Sequence, residues 1–113
     1  METEFRRKAP RRDFDGQVGV LYQGTMSITT CSQLGEGGAL IHSGEEIDII
    51  KQDDELVLTL YLPSIGGIVA TAKCVYRADN GKIGLQFNQV EMKFKIRIRE
   101  FVSRRKTRMA AKR

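Results

Sequence analysis

Between Glu55 and Pro63 the chain carries Leu56, Leu58, Leu60 and Leu62 at every second position, with Val57, Thr59 and Tyr61 between them. A period of two places the leucines on one face of an extended strand and the intervening residues on the other, whereas a helix would scatter them around its circumference. Pro63, which lacks an amide hydrogen, ends the strand. Such a strand needs a core on its leucine face, and the rest of the chain supplies partners with the same pattern. Val18, Val20 and Tyr22 share a face of a first strand, and Met26, Ile28 and Thr30 a face of a second, with Gly24 at the bend between them. Ala39-Leu40-Ile41 starts a third that stops near Ser43-Gly44, and Ile47, Ile49 and Ile50 suggest a fourth. Ile68, Ala70, Ala72, Cys74 and Tyr76 alternate with Val69, Thr71, Lys73, Val75 and Arg77. Ile83, Leu85 and Phe87 follow an Asp79-Asn80-Gly81 turn, where the glycine can take positive φ. Six or so short strands without interleaved helical patterns predict an antiparallel barrel or sandwich, and only a closed barrel removes exposed strand edges.

The last segment reads two ways. Met92, Phe94, Ile96 and Ile98 alternate with basic residues as in a strand, while Phe94, Ile98, Phe101 and Val102 fall at i, i+4, i+7 and i+8 as in a helix. Glu91 to about Lys106 exceeds a usual strand, lacks Gly and Pro, and places bases in its final turns, where the helix dipole favours them. A C-terminal helix covering one end of the barrel is the expectation.

A chain of 113 residues has room for one domain with a small core. No apolar run approaches the roughly 18 to 20 residues of a spanning helix, and Glu2 and Glu4 lead straight into arginines without an apolar signal core, which predicts a cytoplasmic protein that does not engage a membrane. Cys31 and Cys74 lack CxxC or His-paired spacing and read as reduced, mostly buried thiols rather than metal ligands. His42 is the sole histidine, so no Ser/His/Asp or Cys/His constellation can be assembled. No catalytic residue, metal site or cofactor is expected, and enzymatic function is not predicted.

The net charge of +5 is concentrated at the ends. Residues 1–12 hold five bases against two acids, net +3, and residues 91–113 ten bases against two acids, net +8, while 13–90 hold four bases against ten acids, net −6. A nucleic-acid binder would present a basic face on the folded body with aromatics for base stacking, so a specific nucleic-acid partner is not expected. Bases confined to the ends suit a compact anionic ligand gripped by one arm, or a docking tail.

Two motifs carry chemistry. In Arg6-Arg7-Lys8-Ala9-Pro10-Arg11-Arg12, Pro10 fixes its own φ and biases Ala9 away from helix, so the bases sit on an extended or turning loop. Guanidinium groups there can fork onto phosphate oxygens and stack on flat bases. In Gln33-Leu34-Gly35-Glu36-Gly37-Gly38, three glycines in four residues allow close approach of a ligand to the backbone.

In this order and roughly twenty residues apart, the two motifs resemble those of the PilZ domain, with RxxxR in an N-terminal loop and (D/N)xSxxG at a strand end. Arg7-Lys8-Ala9-Pro10-Arg11 matches the first, and Gln33 to Gly38 aligns with the second, followed by the apolar Ala39-Leu40-Ile41. The resemblance continues through Ser43-Gly44-Glu45-Glu46-Ile47, Ala72-Lys73-Cys74-Val75-Tyr76-Arg77 and Ile83-Gly84-Leu85-Gln86-Phe87. It implies an all-β fold: a six-stranded antiparallel barrel over 15–106 including the C-terminal helix, preceded by a mobile basic arm, 1–14, and followed by a basic tail, 107–113. It also implies a receptor for cyclic di-GMP that acts through an effector protein, with Arg6, Arg7, Arg11, Gln33, Gly35 and Gly38 as ligand-binding residues. Two positions depart from the pattern, since Gln33 stands for Asp or Asn and Gly35 for Ser. A domain that has lost the ligand and serves as an interaction adaptor is the alternative reading. A second register, Thr30-Cys31-Ser32-Gln33-Leu34-Gly35, would restore the serine but leave three extra residues before the next strand.

Overall fold

The computed structural model describes residues 11–44 and 49–111, with the side chains of 105–111 excepted. Six strands run in chain order, β1 (Arg11–Tyr22), β2 (Thr25–Gly35), β3 (Gly38–His42), β4 (Glu55–Leu62), β5 (Gly66–Arg77) and β6 (Lys82–Gln89), followed by helix α1 (Met92–Ala111). Every pairing is antiparallel, and the sheet closes on itself in the order β1-β2-β3-β6-β5-β4. β1 is the strand that closes it, pairing with β2 on one side and β4 on the other.

The leucine period fills the barrel. Leu56, Leu58, Leu60 and Leu62 are buried together with Val18 and Val20 from β1, Ile41 from β3, Ile68 and Cys74 from β5, and Ile83 from β6. β1 and β2 are joined by the two-residue turn Gln23-Gly24, both at positive φ (51° and 83°), the geometry that matches the twist of a tight hairpin. Gly81 also takes positive φ, in the turn before β6.

The strand expected over Ile47, Ile49 and Ile50 is not formed at its described residues. Ile49 lies in a turn and Ile50 outside any strand, while Ile47 lies outside the described residues. The reason is local chemistry at the polar break that follows. Asp54 accepts from the Lys51 amide at 3.0 Å, the Asp54 amide donates back to the Lys51 carbonyl at 3.0 Å, and Asp53 sits at φ 77°, so the chain turns here instead of extending. Ile50 is nonetheless completely buried, and its carbonyl accepts from Arg77 Nη1 at 2.6 Å. The same turn is tied to β1, because the Tyr22 hydroxyl donates to Asp54 Oδ2. That bond raises the Tyr22 pKa and holds Asp54 below the usual carboxylate range.

The final segment is a helix, and burial shows why the strand pattern fails there. Ile98, Phe101 and Val102 are buried while Met92 and Ile96 are exposed. A strand would have placed Ile96 and Ile98 on one face, whereas a 3.6-residue turn separates them. α1 lies across the barrel end where β1 starts: Phe101 meets Phe14 edge-on at 5.3 Å between ring centroids, and Arg97 Nη1 donates to the Gly67 carbonyl at 2.6 Å. The helix continues to Ala111, past the point near Lys106 where the sequence reading ended it.

Candidate functional site

β1 begins at Arg11, so the last residue of the RxxxR motif belongs to the barrel, while Arg6 and Arg7 lie outside the described residues. Antiparallel pairing sets Arg11 opposite Gly35, Arg12 opposite Leu34 and Asp13 opposite Gln33. The two motifs, some twenty residues apart in sequence, therefore lie on adjacent strands at one end of the barrel. A bulge makes this register. Between Asp13 and Gly16 the strand carries Phe14 and Asp15 opposite Ser32 alone, and a second irregularity between Cys31 and Gln33 offsets β2 from β3. Bulges gather at barrel rims because the extra residue bends the strand and re-aims its side chains. Here they keep both Cys31 and Leu34 buried although three positions separate them.

Arg11 and Arg12 point to different uses. Arg12 is committed to the helix: its Nη1 donates to the Phe101 carbonyl at 2.9 Å, and its guanidinium carbon stands 4.0 Å from the Phe101 ring centroid. Asp13, two positions from Arg11 on an alternating strand, shares its face, and Gln33 Nε2 donates to Asp13 Oδ1 at 3.3 Å on the exposed surface. Motif matching singles out neither Arg12 nor Asp13, although both follow Arg11 directly in the sequence.

The glycine turn is fixed from two directions. Glu36 accepts two bonds from Arg99, at 3.1 Å from Nε and 3.2 Å from Nη2, which joins the turn to α1 and raises the Arg99 pKa above its already high value. The Phe87 amide donates to the Gly37 carbonyl at 2.9 Å, which joins the turn to β6. Gly38 lies so close to β6 that a Cβ built on it would stand 1.9 Å from the Leu85 carbonyl oxygen. Its lack of a side chain thus has a structural cause in the β3–β6 pairing. Gly35 ends β2 in the ladder opposite Arg11. In the alternative register, Ser32 would be the hydroxyl-bearing residue; its Oγ donates to the Leu40 carbonyl at 3.3 Å.

Beside this end, a cleft of about 330 Å³ opens between the start of β1, the β4–β5 connection and α1, lined by Arg12, Asp13, Phe14, Asp15, Pro63, Ser64, Ile65, Phe101 and Arg104. Cys31 and Cys74 are both free and buried, and burial pushes the Cys31 thiol up to about 11. Among the described residues no group of three His, Cys, Asp or Glu side chains is placed to hold a metal ion, and no helix is long and apolar enough to cross a membrane.

Comparison with known proteins places this geometry in context. The sequence model described as PilZ domain matches residues 5–104. No curated protein sequence matches the chain. Among solved structures, the Bacillus subtilis inhibitor of motility MotI/DgrA superposes with a TM-score of 0.79 at 16% identity, covering 91% of this chain and 52% of that one. The K. pneumonia MrkH–c-di-GMP complex gives a TM-score of 0.77 at 16% identity, over 96% of this chain and 55% of that one. The PilZ domain with c-di-GMP of YcgR from Escherichia coli gives 0.73 at 10% identity, over 96% and 98%. The chain thus spans about half the length of MotI and MrkH and nearly all of the YcgR domain. With the family's sequence model covering almost the whole chain and the six-stranded barrel with its terminal helix in place, the chain belongs to the PilZ domain family.

Proposed function

We propose that this domain is a receptor for cyclic di-GMP that acts by presenting a ligand-dependent surface to an effector protein. The observation that carries the reading is the β1–β2 register, in which Arg11 stands opposite Gly35 and Asp13 is hydrogen-bonded to Gln33. Arg7 is four residues from Arg11 in sequence, so at most about 14 Å of chain separates them, and both arginines can serve one compact ligand. Their guanidinium groups supply paired donors for phosphate oxygens and flat faces for guanine. The exposed carboxylate of Asp13 and the amide of Gln33 supply acceptors for the N1–H and N2–H donors along a guanine edge. The structural likeness to domains solved with c-di-GMP supports the choice of ligand. A cytoplasmic setting, where thiols stay reduced, suits the two free cysteines.

The departures at Gln33 and Gly35 bear on affinity. A missing hydroxyl partner for a buried polar group costs about 1–3 kcal/mol, on the order of tenfold to a hundredfold in dissociation constant. The missing Gly35 hydroxyl is also what motivates the second reading, an adaptor that no longer binds the nucleotide. Calorimetric titration with cyclic di-GMP, with GTP and single-stranded DNA as controls, separates the two. Saturable binding to cyclic di-GMP alone is expected, and Arg11→Ala should weaken it at least tenfold through loss of a charge-assisted contact of about 1.5–3 kcal/mol. Absence of saturable binding would leave the adaptor, and a variant that binds as the parent does would remove Arg11 from the site.

A further inference from the structure

The outer side of the barrel across β2, β1, β4 and β5 is uncharged over its middle. Pairing registers define its rows. Ile28, Gly19, Thr59 and Val69 form one row across the four strands, and Met26, Leu21, Val57 and Thr71 the next. Gln17 pairs with Thr30 and Tyr61 with Gly67 one step further along the strands. The first charges reached along the strands are Glu55 and Lys73, which face each other at the end of the β4–β5 ladder, and Asp15 near the rim of β1. In a chain that is 29% charged, a water-facing sheet surface of this extent would ordinarily carry several charged side chains, since antiparallel sheets alternate apolar inside with polar outside. Instead Ile28 is 65% exposed, Tyr61 66%, Met26 52%, Val69 47% and Leu21 38%.

We propose that this face is a self-association surface, through which two copies of the chain pair about a twofold axis. Two considerations select a second copy as the occupant. The five exposed apolar side chains alone offer roughly 500 Å², at the upper end of the apolar patches found on monomers. Joining two such faces buries about 1,000 Å² before the threonines and backbone between them are counted, which reaches the lower bound for a specific interface. The second consideration is charge. In an isologous contact each residue near the axis meets its own copy, so a charge there would face its like, and the centre must be neutral. A partner of different sequence has no such constraint, and on a chain of net charge +5 it would be met most readily by acidic complementarity at the basic ends. The neutral centre is what self-pairing requires, and α1 lies at the barrel end beyond it.

Sedimentation equilibrium of the full chain, run from micromolar to near-millimolar concentration, tests the assignment without any ligand, so its outcome is independent of the nucleotide titration. A concentration-dependent rise from the monomer mass of 12.8 kDa toward twice that value is expected. Ile28→Lys and Val69→Lys, on different strands and both exposed, should each raise the dimer dissociation constant at least tenfold, with unchanged far-UV circular dichroism certifying the fold. Ile96→Lys, on the outer side of α1, should leave it unchanged. A chain that stays monomeric throughout the range, or a dimer indifferent to both sheet substitutions, overturns the proposal; in the first case a different protein or a lipid surface covers the face.

Discussion

Alanine at position 38 should open the seam between β3 and β6. A Cβ on Gly38 would lie 1.9 Å from the Leu85 carbonyl oxygen, 3.0 Å from its carbonyl carbon and 3.2 Å from the Gln86 Cα. All three are backbone atoms, so no rotamer change relieves the contact, and β3 has to move by more than an ångström. The movement strains the pairs Gly38–Gln86 and Ala39–Leu85, the part of the ladder nearest the glycine turn. Overpacking of this kind costs about 1–3 kcal/mol, and a weakened ladder bond adds about 1 kcal/mol. The entropy that alanine removes from the unfolded chain returns only about 0.4–1 kcal/mol. A net loss of about 2–3 kcal/mol lowers the melting temperature by roughly 10–20 °C for a domain of this size. Thermal and urea unfolding followed by circular dichroism measure it. A variant melting within about 2 °C of the parent would refute the steric account, and a well-folded variant that had lost only cyclic di-GMP affinity would show that the glycine serves the ligand instead.

Two further outcomes follow from the same geometry. Gly35→Ser places a hydroxyl at the end of β2 opposite Arg11, in a backbone that is paired as extended strand, so it should leave the melting temperature nearly unchanged and tighten cyclic di-GMP binding about tenfold by calorimetry; weaker binding, beside a Ser32→Ala protein that loses it, would favour the alternative register. Burial holds the Cys31 thiol protonated up to about 11, above the ordinary thiol value of 9.0, so any stability it contributes is complete below pH 9 and fades as pH rises through 11. Native protein at pH 8 should therefore react with a thiol reagent only at the rate of opening, and fast stoichiometric labelling without denaturant would contradict its burial.

Strand periodicity and turn chemistry made most of the barrel legible in the sequence. Leu56 to Leu62 alternate because one face is buried and the other is not, and a period of two survives in a sequence as long as the strand is regular. The RxxxR and glycine motifs were likewise legible as residue types suited to an anion. Other features depended on contacts that no local pattern records. Ile47, Ile49 and Ile50 read as a strand from composition, but at the described Ile49 and Ile50 the Asp54 side chain bonding the Lys51 amide, and Tyr22 bonding Asp54 from β1, turn the chain and leave Ile50 buried. The last segment satisfied both periods, and only its placement against Phe14 and the barrel end, which buries Ile98 and exposes Ile96, decided between them.

The register of the candidate site was the furthest from reach. The two-residue turn at Gln23-Gly24 pairs Tyr22 with Thr25 and Val18 with Thr29, and continued without interruption it would set Asp13 opposite Leu34 and Arg11 opposite Glu36. The bulge at Phe14 and Asp15 shifts the pairing by one residue, so that Arg11 meets Gly35 and Asp13 meets Gln33. The sequence by itself determined an antiparallel barrel or sandwich, its hairpins and the residue types of its two motifs, because these rest on side-chain period and turn propensity; that the sheet closes into a barrel is decided by the pairing of β1 with β4. That Arg12 packs on Phe101 and that Asp13 joins Gln33 was decided only in the closed barrel, where the bulge in β1 and the irregularity in β2 leave Leu34 and Cys31 in the core together.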